Sequence, residues 1–355
     1  MSEWIGQLLQ NPTEWLRGTG PEVDVVVSSR IRLARNLVGF PFVPKLAKEQ
    51  EEDIIDMVEE AVEGESLLKD THFIRYRDVT ELDKQFLLER HLISREHAVE
   101  QGEKAVVISP NEIVSVMVLE EDHLRVQVFQ SGLNILDAWR ITEDIVNGLE
   151  KNLPFSFHAD LGYLTACPTN VGTGIRASCM LHLPSLVMTK QVNKVLQALT
   201  KLNLATRGLY GEGSQATGNF FQISNQTTLG QKEEDIIAGL EKVIRQMVAH
   251  EKEARQYLLE KRKAKFEDQI WRALGTLKSA RVIASGESVQ LLSLLRLGVD
   301  LGFVKNLKHT ELNNLFLLLQ PAHLQKLFGR ALGSSERDVK RADLIREKLQ
   351  TVKLI

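Results

Sequence analysis

The sequence predicts an α+β fold, an antiparallel sheet flanked by helices, followed by an all-α C-terminal domain. Three observations predict it. Strand-like runs of alternating side chains are separated by short polar breaks, which suits hairpins better than a doubly wound parallel sheet. Helical spacings are interspersed among those runs. After residue 254 every apolar pattern is helical. The chain has 355 residues, more than the roughly 250–300 at which single cores stop growing. Two domains are therefore expected, 1–254 and 255–355.

The elements follow in order. Residues 22–27 read as a strand, and 49–62 as a helix with Ile54, Ile55, Met57, Val58 and Val62 at helical spacing. Runs 104–109 and 113–119 are β-rich. In 124–130, Leu124, Val126 and Val128 alternate with Arg125 and Gln127. The short break Glu120-Glu121-Asp122 predicts an antiparallel hairpin there. A helix over 135–149, an alternating run over 176–183, a helix over 185–201 and a strand over 218–224 complete the first domain. An amphipathic helix over 233–248 carries Ile236, Ile237, Leu240, Val243, Ile244, Met247 and Val248 on one face. The charged, apolar-poor stretch 250–265 marks the boundary. Helices over 266–274, 288–297, 312–318, 322–328 and 336–349 follow, with Gly275, Gly286, Gly298 and Gly329 as their stops.

Composition excludes several classes. With 43% apolar and 26% charged residues, the chain is neither disordered nor collagen-like. Two cysteines, Cys167 and Cys179, are too few for a disulfide framework or a metal cluster of their own. No apolar run is long enough to span a membrane, and the opening MSEWIGQLLQ lacks the basic-then-apolar order of a secretory signal. A soluble, cytoplasmic protein without a membrane partner is expected. The net charge of −3 divides unevenly: residues 255–355 carry 19 Lys+Arg against 10 Asp+Glu, and the rest 25 against 37. That division gives no uniformly basic footprint, so no direct nucleic-acid partner is expected.

Arginines within the strand-like runs carry the functional signal. Ser28, Arg30 and Arg32 share one face of their run, opposite Val27, Ile31 and Leu33. Arg176, Ser178 and Met180 lie opposite Ala177, Cys179, Leu181 and Leu183, and Arg125 lies opposite Leu124 and Val126. Arg207 follows in a glycine-rich stretch. If these runs join one sheet, they form a cationic platform. Guanidiniums bind phosphate bidentately and stay charged at any working pH, so a polyanion such as triphosphate fits. Arginines on a solvated face, each paired with its own acid, fit the same pattern. Gly172-Thr173-Gly174 before Arg176 and the three glycines over 208–213 supply loops that a ligand could approach. No P-loop sequence is present, and the conserved loops of ordinary protein kinases are missing. Glu121 and Glu212 stand beside arginines, either to balance charge or to grip a cationic acceptor. Cys167 is either a small buried residue or a thiol made reactive by cationic neighbours.

On these residues the sequence resembles the phosphagen (guanidino) kinases. The matching blocks are Ser-Ser-Arg-Ile-Arg at 28–32, Glu-Glu-Asp-His-Leu-Arg at 120–125, Cys-Pro-Thr-Asn-Val-Gly-Thr-Gly-Ile-Arg-Ala-Ser at 167–178 and Arg-Gly-Leu-Tyr-Gly-Glu at 207–212. The resemblance implies ATP phosphates held by Arg30, Arg32, Arg125, Arg176 and Arg207. It places Ser28, Ser29, Ile31, Ala177, Ser178, Cys179, Met180, Gly208, Leu209, Tyr210 and Gly211 around the nucleotide, with His91 near the adenine. It implies Glu121 and Glu212 as acceptor-binding carboxylates, Cys167 beside the acceptor guanidinium, and Mg²⁺ held mainly by the nucleotide phosphates. Only 27 residues precede the first block, and a helical domain follows instead of preceding. The glycine loop reads Glu212-Gly213-Ser214 where the family usually has Glu-His-Thr. The layout is similar to the bacterial branch of the family that acts on arginine side chains of proteins.

The resemblance carries further expectations. Arg337-Asp338-x-x-Arg341-Ala342 resembles a phosphoarginine pocket, with Arg337 on phosphate, Asp338 on guanidinium, Arg341 beside them and Ser335 as helix N-cap. A capped helix with solvated charges fits the same residues. Implied partners are substrate proteins with exposed arginine, a zinc-binding activator protein, an AAA+ unfoldase–protease, a heat-shock repressor and a second copy in a homodimer. The setting implied is a bacterial stress response in which phosphoarginine marks proteins for degradation. The alternatives are a kinase for free arginine or another small guanidino compound, and a non-catalytic phosphoarginine-binding adaptor.

Overall fold

The computed structural model describes residues 3–11, 13–99, 102–208 and 218–354. The strands in chain order are β1 (Val26–Arg35), β2 (His72–Arg75), β3 (Ala105–Ile108), β4 (Val114–Val118), β5 (Leu124–Ser131), β6 (Phe157–His158), β7 (Gly162–Tyr163), β8 (Ile175–His182), β9 (Leu204–Arg207), β10 (Phe220–Asn225) and, paired with each other in the otherwise helical C-terminal region, β11 (Val304–Lys305) and β12 (Lys353–Leu354). Eight of them form one sheet in the order β2-β3-β4-β5-β1-β8-β10-β9, and β6 and β7 pair separately. Pairing is antiparallel from β2 through β5 and between β5 and β1. This is the α+β class expected, and the hairpin predicted around Glu120-Glu121-Asp122 joins β4 to β5.

Several boundaries differ from the sequence reading. The first strand begins at Val26, because residues before it turn: Glu22 has φ 55° and its carbonyl accepts from the N–H of both Val25 and Val26. The helix expected over 185–201 is two, Pro184–Met188 and Val192–Lys201, separated where Lys190 takes φ 61°. Within the charged stretch 250–265 one helix, Glu233–Lys261, ends and the next begins at Lys263, with Arg262 between them.

By packing, the chain divides into two compact units. One comprises Met1–Trp15, Ser28–Cys179 and Ser224–Lys242, and the other Leu16–Val27, Met180–Ile223 and Val243–Ile355. In the first, Ile31, Leu33, Val126 and Val128 are fully buried on one sheet face. The helix Ile135–Glu150 packs against β5 and buries Ile135, Ala138, Ile145, Val146 and Leu149. Arg90 and Glu112 form an ion pair deep in this unit. Arg90 Nε lies 3.0 Å from each Glu112 carboxylate oxygen, and the guanidinium also donates to the Asn11 carbonyl.

In the second unit, charges inside the long helix are internal. Glu251 is buried and accepts from the N–H of Ser185 and Leu186 at 3.0 Å each, so it caps the helix Pro184–Met188. Arg255 pairs with Glu251 at 3.2 Å and with Asp24 at 3.0 Å. Helices Lys263–Ser279, Ser285–Asp300, His309–Leu318, Pro321–Leu327 and Ser334–Lys348 follow. Of the glycines read as helix stops, Gly275, Gly286 and Gly298 lie inside helices, and only Gly329, at φ 68°, follows one. Gly298 is a packing position: a Cβ there would meet Ile270 Cγ2 at 2.6 Å and Val304 Cγ2 at 2.9 Å.

The Arg90–Glu112 pair yields a stability prediction. Burial pushes the Glu112 carboxyl up even with Arg90 beside it. Arg90→Ala leaves that acid buried without its cation, which costs about 3–5 kcal/mol. Urea unfolding followed by tryptophan fluorescence checks this, and a cost below about 1 kcal/mol would contradict the buried-pair account.

Candidate active site

The register of β1 against β5 assembles the cationic face. Arg30 pairs with Phe129, Arg32 with Gln127, and Ala34 with Arg125. Directly opposed residues share a face, so Arg30, Arg32, Arg125, Gln127 and Phe129 lie together. Their neighbours Ile31, Leu33, Val126 and Val128 form the buried face behind them. Strand β8 lies next to β1. Cys179 Sγ is 3.6 Å from Ser29 Oγ, which puts Cys179 and Ala177 on the buried face. Alternation then sets Arg176 and Ser178 on the face of Arg30. Four of the five predicted arginines therefore share one side of adjacent strands in the first unit. The fifth, Arg207, ends β9 in the second.

Polar neighbours hold these arginines. Arg125 Nη1 lies 2.6 and 2.5 Å from the two oxygens of buried Glu120, and Ser94 Oγ donates to the same carboxylate at 2.7 Å. Burial pushes the Glu120 carboxyl up, but the Arg125 charge and the hydrogen bonds from Ser94 and Arg125 overcome this and hold it at about 2. Arg30 Nη1 donates to Gln127 Oε1 at 3.4 Å, and Gln127 Nε2 donates to the His91 carbonyl at 2.8 Å. Backbone around Arg176 is clamped by Asn225, whose Oδ1 accepts from the Ala177 N–H at 2.8 Å and whose Nδ2 donates to the Ile175 carbonyl at 3.1 Å.

His91 stands at the end of this row. Its ring meets Trp15 edge-on with centroids 4.7 Å apart, and Trp15 also lies 6.5 Å from Phe129. Burial, reinforced by the Arg30 charge, pushes the imidazole down to about 3, so it is neutral at working pH. Trp15, His91 and Phe129 make an aromatic corner beside Arg30, whose guanidinium lies 5.4 Å from the Phe129 ring centre.

At the other end stands Glu121, exposed in the β4–β5 turn. Burial of its carboxyl group pushes its pKa up, Arg125 pulls it down, and Asp122 and Glu120 push it up again. Asn170 Nδ2 lies 3.4 Å from this carboxylate, and the neighbouring Cys167 thiol pulls its pKa down. Cys167 Sγ is also 3.0 Å from Thr169 Oγ1. Asp122 fixes this arrangement: its Oδ1 accepts from Asn36 Nδ2 at 2.6 Å and from the Ala166 N–H at 2.7 Å. Glu121 and Cys167, chosen separately from the sequence, are thus brought together.

Other predicted residues have narrower roles. Ile31, Ala177 and Cys179 point into the core, so they offer a nucleotide only backbone. Burial pushes the Cys179 thiol up to about 12, with Ser29 opposing, so it is not a reactive thiol. Ser29 Oγ is committed to the Gly132 carbonyl at 2.8 Å and the Asn134 N–H at 3.0 Å. Ser28 and Met180 are buried, as is Gly208. Leu209, Tyr210, Gly211 and Glu212 lie outside the described residues. Sequence reasoning missed Glu120, Gln127, Asn36, Asp122, Asn225 and Trp15. Gln127 alone was signalled, by its place two residues from Arg125 on an alternating strand.

The C-terminal motif opens the helix Ser334–Lys348, whose N-cap is Gly333 rather than Ser335. Arg337 donates to the Leu332 carbonyl at 2.7 Å. Arg341 is a correction to the predicted set. It is 1% exposed and donates to the Leu319 carbonyl, the Ile283 carbonyl and Asp338, so it braces neighbouring segments instead of facing a ligand. Arg337 and Asp338, both half-buried, remain as surface groups.

Comparison with known proteins agrees with this geometry. Residues 53–254 match the family model of the ATP:guanido phosphotransferase C-terminal catalytic domain, and 263–354 match the protein-arginine kinase McsB C-terminal domain. The chain is 47% identical over 349 residues to a protein-arginine kinase of Symbiobacterium thermophilum, covering 98% of this chain and 99% of that protein. It is 45% identical over 352 residues to one from Desulforamulus reducens, covering 98% and 99%. Among solved structures it is similar to the substrate-free duplicated taurocyamine kinase of Schistosoma mansoni, with TM-score 0.58 and 27% identity over 66% of this chain and 34% of that one. An arginine-faced antiparallel sheet, a carboxylate–cysteine pair at its end and matches over nearly the whole chain lead to one assignment: the chain belongs to the protein-arginine kinase family, within the ATP:guanido phosphotransferases.

Proposed function

We propose that this protein transfers the γ-phosphoryl group of ATP to arginine side chains of proteins. The observation that carries the reading is the sheet face shared by Arg30, Arg32, Arg125 and Arg176, with Glu121 four residues from Arg125 and Cys167 beside it. The arginines hold the phosphates, and the corner of Trp15, His91 and Phe129 takes the base. Mg²⁺ carried on the nucleotide phosphates and water would supply charge neutralisation.

The acceptor guanidinium has a pKa of about 13.8, so it attacks only as a proton leaves. Glu121, and Glu212 outside the described residues, align it by charge-assisted bonds. The Nη lone pair forms the N–P bond, the bond from the γ-phosphorus to the bridging oxygen of ADP breaks, and one carboxylate takes the Nη proton. Arg30, Arg32, Arg125, Arg176 and Arg207 stabilise charge on the transferring group, so catalysis is chiefly positioning and electrostatics. By kinship, the reading extends to degradation of tagged proteins by an AAA+ unfoldase–protease, to inactivation of a heat-shock repressor, to a zinc-binding activator and to a homodimer. Arg337 and Asp338 support phosphoarginine as an allosteric input.

Incubation with ATP and a folded arginine-bearing protein tests the activity. Acid-labile phosphate on arginine is expected; acid-stable phosphate, or none, would overturn the reading. Glu121→Gln should lower kcat by about 10²–10³ while ADP affinity is kept. Ionised Glu121 is the active form and its pKa is raised. Activity of the wild type should therefore fall with decreasing pH above the ordinary glutamate range, and pH profiles of kcat/KM check this. Glu120→Gln should raise KM for ATP by roughly tenfold by loosening Arg125, read in initial-rate assays. Free phosphoarginine should alter activity in the wild type but not in Arg337→Ala; equal responses would remove Arg337 from that role.

A further inference from the structure

Three consecutive carbonyls around His91 are each held by a side chain. Trp15 Nε1 donates to the Arg90 carbonyl at 3.1 Å, Gln127 Nε2 to the His91 carbonyl at 2.8 Å and Ser115 Oγ to the Leu92 carbonyl at 2.5 Å. This segment follows the helix Glu81–Glu89, and the end of a helix leaves carbonyls without helical partners. His91 itself takes φ 60°, a left-handed conformation that costs a non-glycine residue free energy and persists where its surroundings hold it. The backbone that aims the His91 ring is thus set from outside its own helix.

Gln127 also reaches the arginines. In the sheet it stands opposite Ser115 of β4 on one side and Arg32 of β1 on the other, and it is 2% exposed. Its Oε1 accepts from Arg30 Nη1 at 3.4 Å while its Nε2 holds His91. This orientation of the amide satisfies both neighbours, because a guanidinium only donates and a carbonyl only accepts. From Arg30 the contacts return to His91 by a second route. The guanidinium lies 5.4 Å from the Phe129 ring centre, Phe129 lies 6.5 Å from Trp15, and Trp15 meets His91 at 4.7 Å. Gln127, Arg30, Phe129, Trp15 and His91 therefore form a closed circuit within one compact unit. The His91 carbonyl alone could be served by any donor. A glutamate would hold Arg30 more strongly, but it would set a second acceptor against that carbonyl. The amide meets both neighbours without adding a charge.

We infer that Gln127 is a positioning residue that fixes the spacing between the His91 corner and the Arg30 guanidinium. It thereby sets the reach from the base to the phosphates of a bound nucleotide. This role rests on the nucleotide-site reading above and adds to it the residue that spaces the two ends.

Calorimetry with ADP and with inorganic pyrophosphate, both with Mg²⁺, tests it. Pyrophosphate reads the arginines alone, whereas ADP reads both ends. Gln127→Met keeps the volume and removes both hydrogen bonds. It should weaken ADP binding by about tenfold and pyrophosphate binding by no more than about threefold. In initial-rate assays the loss should fall on KM for ATP while KM for the protein acceptor holds. Gln127→Leu carries the same comparison where the methionine variant does not fold. An equal loss for the two ligands, or an unchanged ADP affinity, would overturn the spacing role; phosphoarginine formed by the wild type would still leave the kinase reading standing. A wild type that shows the expected binding pattern but forms no phosphoarginine would overturn the kinase reading and keep the role of Gln127.

Discussion

The registration of β1 against β5 is the constraint on which the site depends. With Arg32 opposite Gln127 and Ala34 opposite Arg125, every guanidinium of these two strands but that of Arg35 falls on one face. A slip of one residue would turn Arg30 and Arg32 into the core and Ile31 and Leu33 out to solvent. Burial fixes the register strongly, since Ile31, Leu33, Val126 and Val128 are essentially inaccessible to water. The apolar side of the sheet thus specifies the cationic side. The same residues that stabilise the fold set the spacing of the guanidiniums on the opposite face.

Concentrating positive charge on one sheet face costs free energy, and the surroundings offset it selectively. Arg125 has Glu120, a buried carboxylate held ionised by that pairing and by Ser94. Arg30 donates to Gln127 and lies over the Phe129 ring, which orient it. Neutral His91 adds no further cation to the row. One end of the face is therefore aromatic and neutral, and the other is acidic. A nucleotide placed with its base at the first end presents its terminal phosphate to the second.

What was legible in the sequence follows from which forces leave a period. The β4–β5 hairpin and the alternating arginines were readable because burial of one face imposes a period of two. Glu120 was seen only as part of a polar break, because its partnership with Arg125 depends on how the turn folds back. The partners of the charges in 250–265 were illegible for a related reason. Those charges lie partly inside the unit, where Glu251 caps another helix and Arg255 binds Asp24 and Glu251. Hydropathy cannot distinguish such paired internal charges from solvated ones. Gly298 likewise follows the pattern of a stop, but its missing side chain admits Ile270 and Val304. Arg341 has the composition of a ligand-binding residue, and three internal acceptors claim it.

Asp122 links the chemistry to the loops around it. One carboxylate oxygen receives both Asn36, from the loop 36–42, and the Ala166 N–H, which precedes Cys167. Asn36 Oδ1 in turn accepts from the His123 N–H at 2.9 Å, closing a ring of bonds around the turn that presents Glu121. Burial pushes the Asp122 carboxyl up, while the Ala166 N–H and Asn36 pull it down. These donors satisfy a group that would otherwise be costly to bury. Because the ring is shared, the turn that presents Glu121 and the loops 36–42 and 153–167 are tied together.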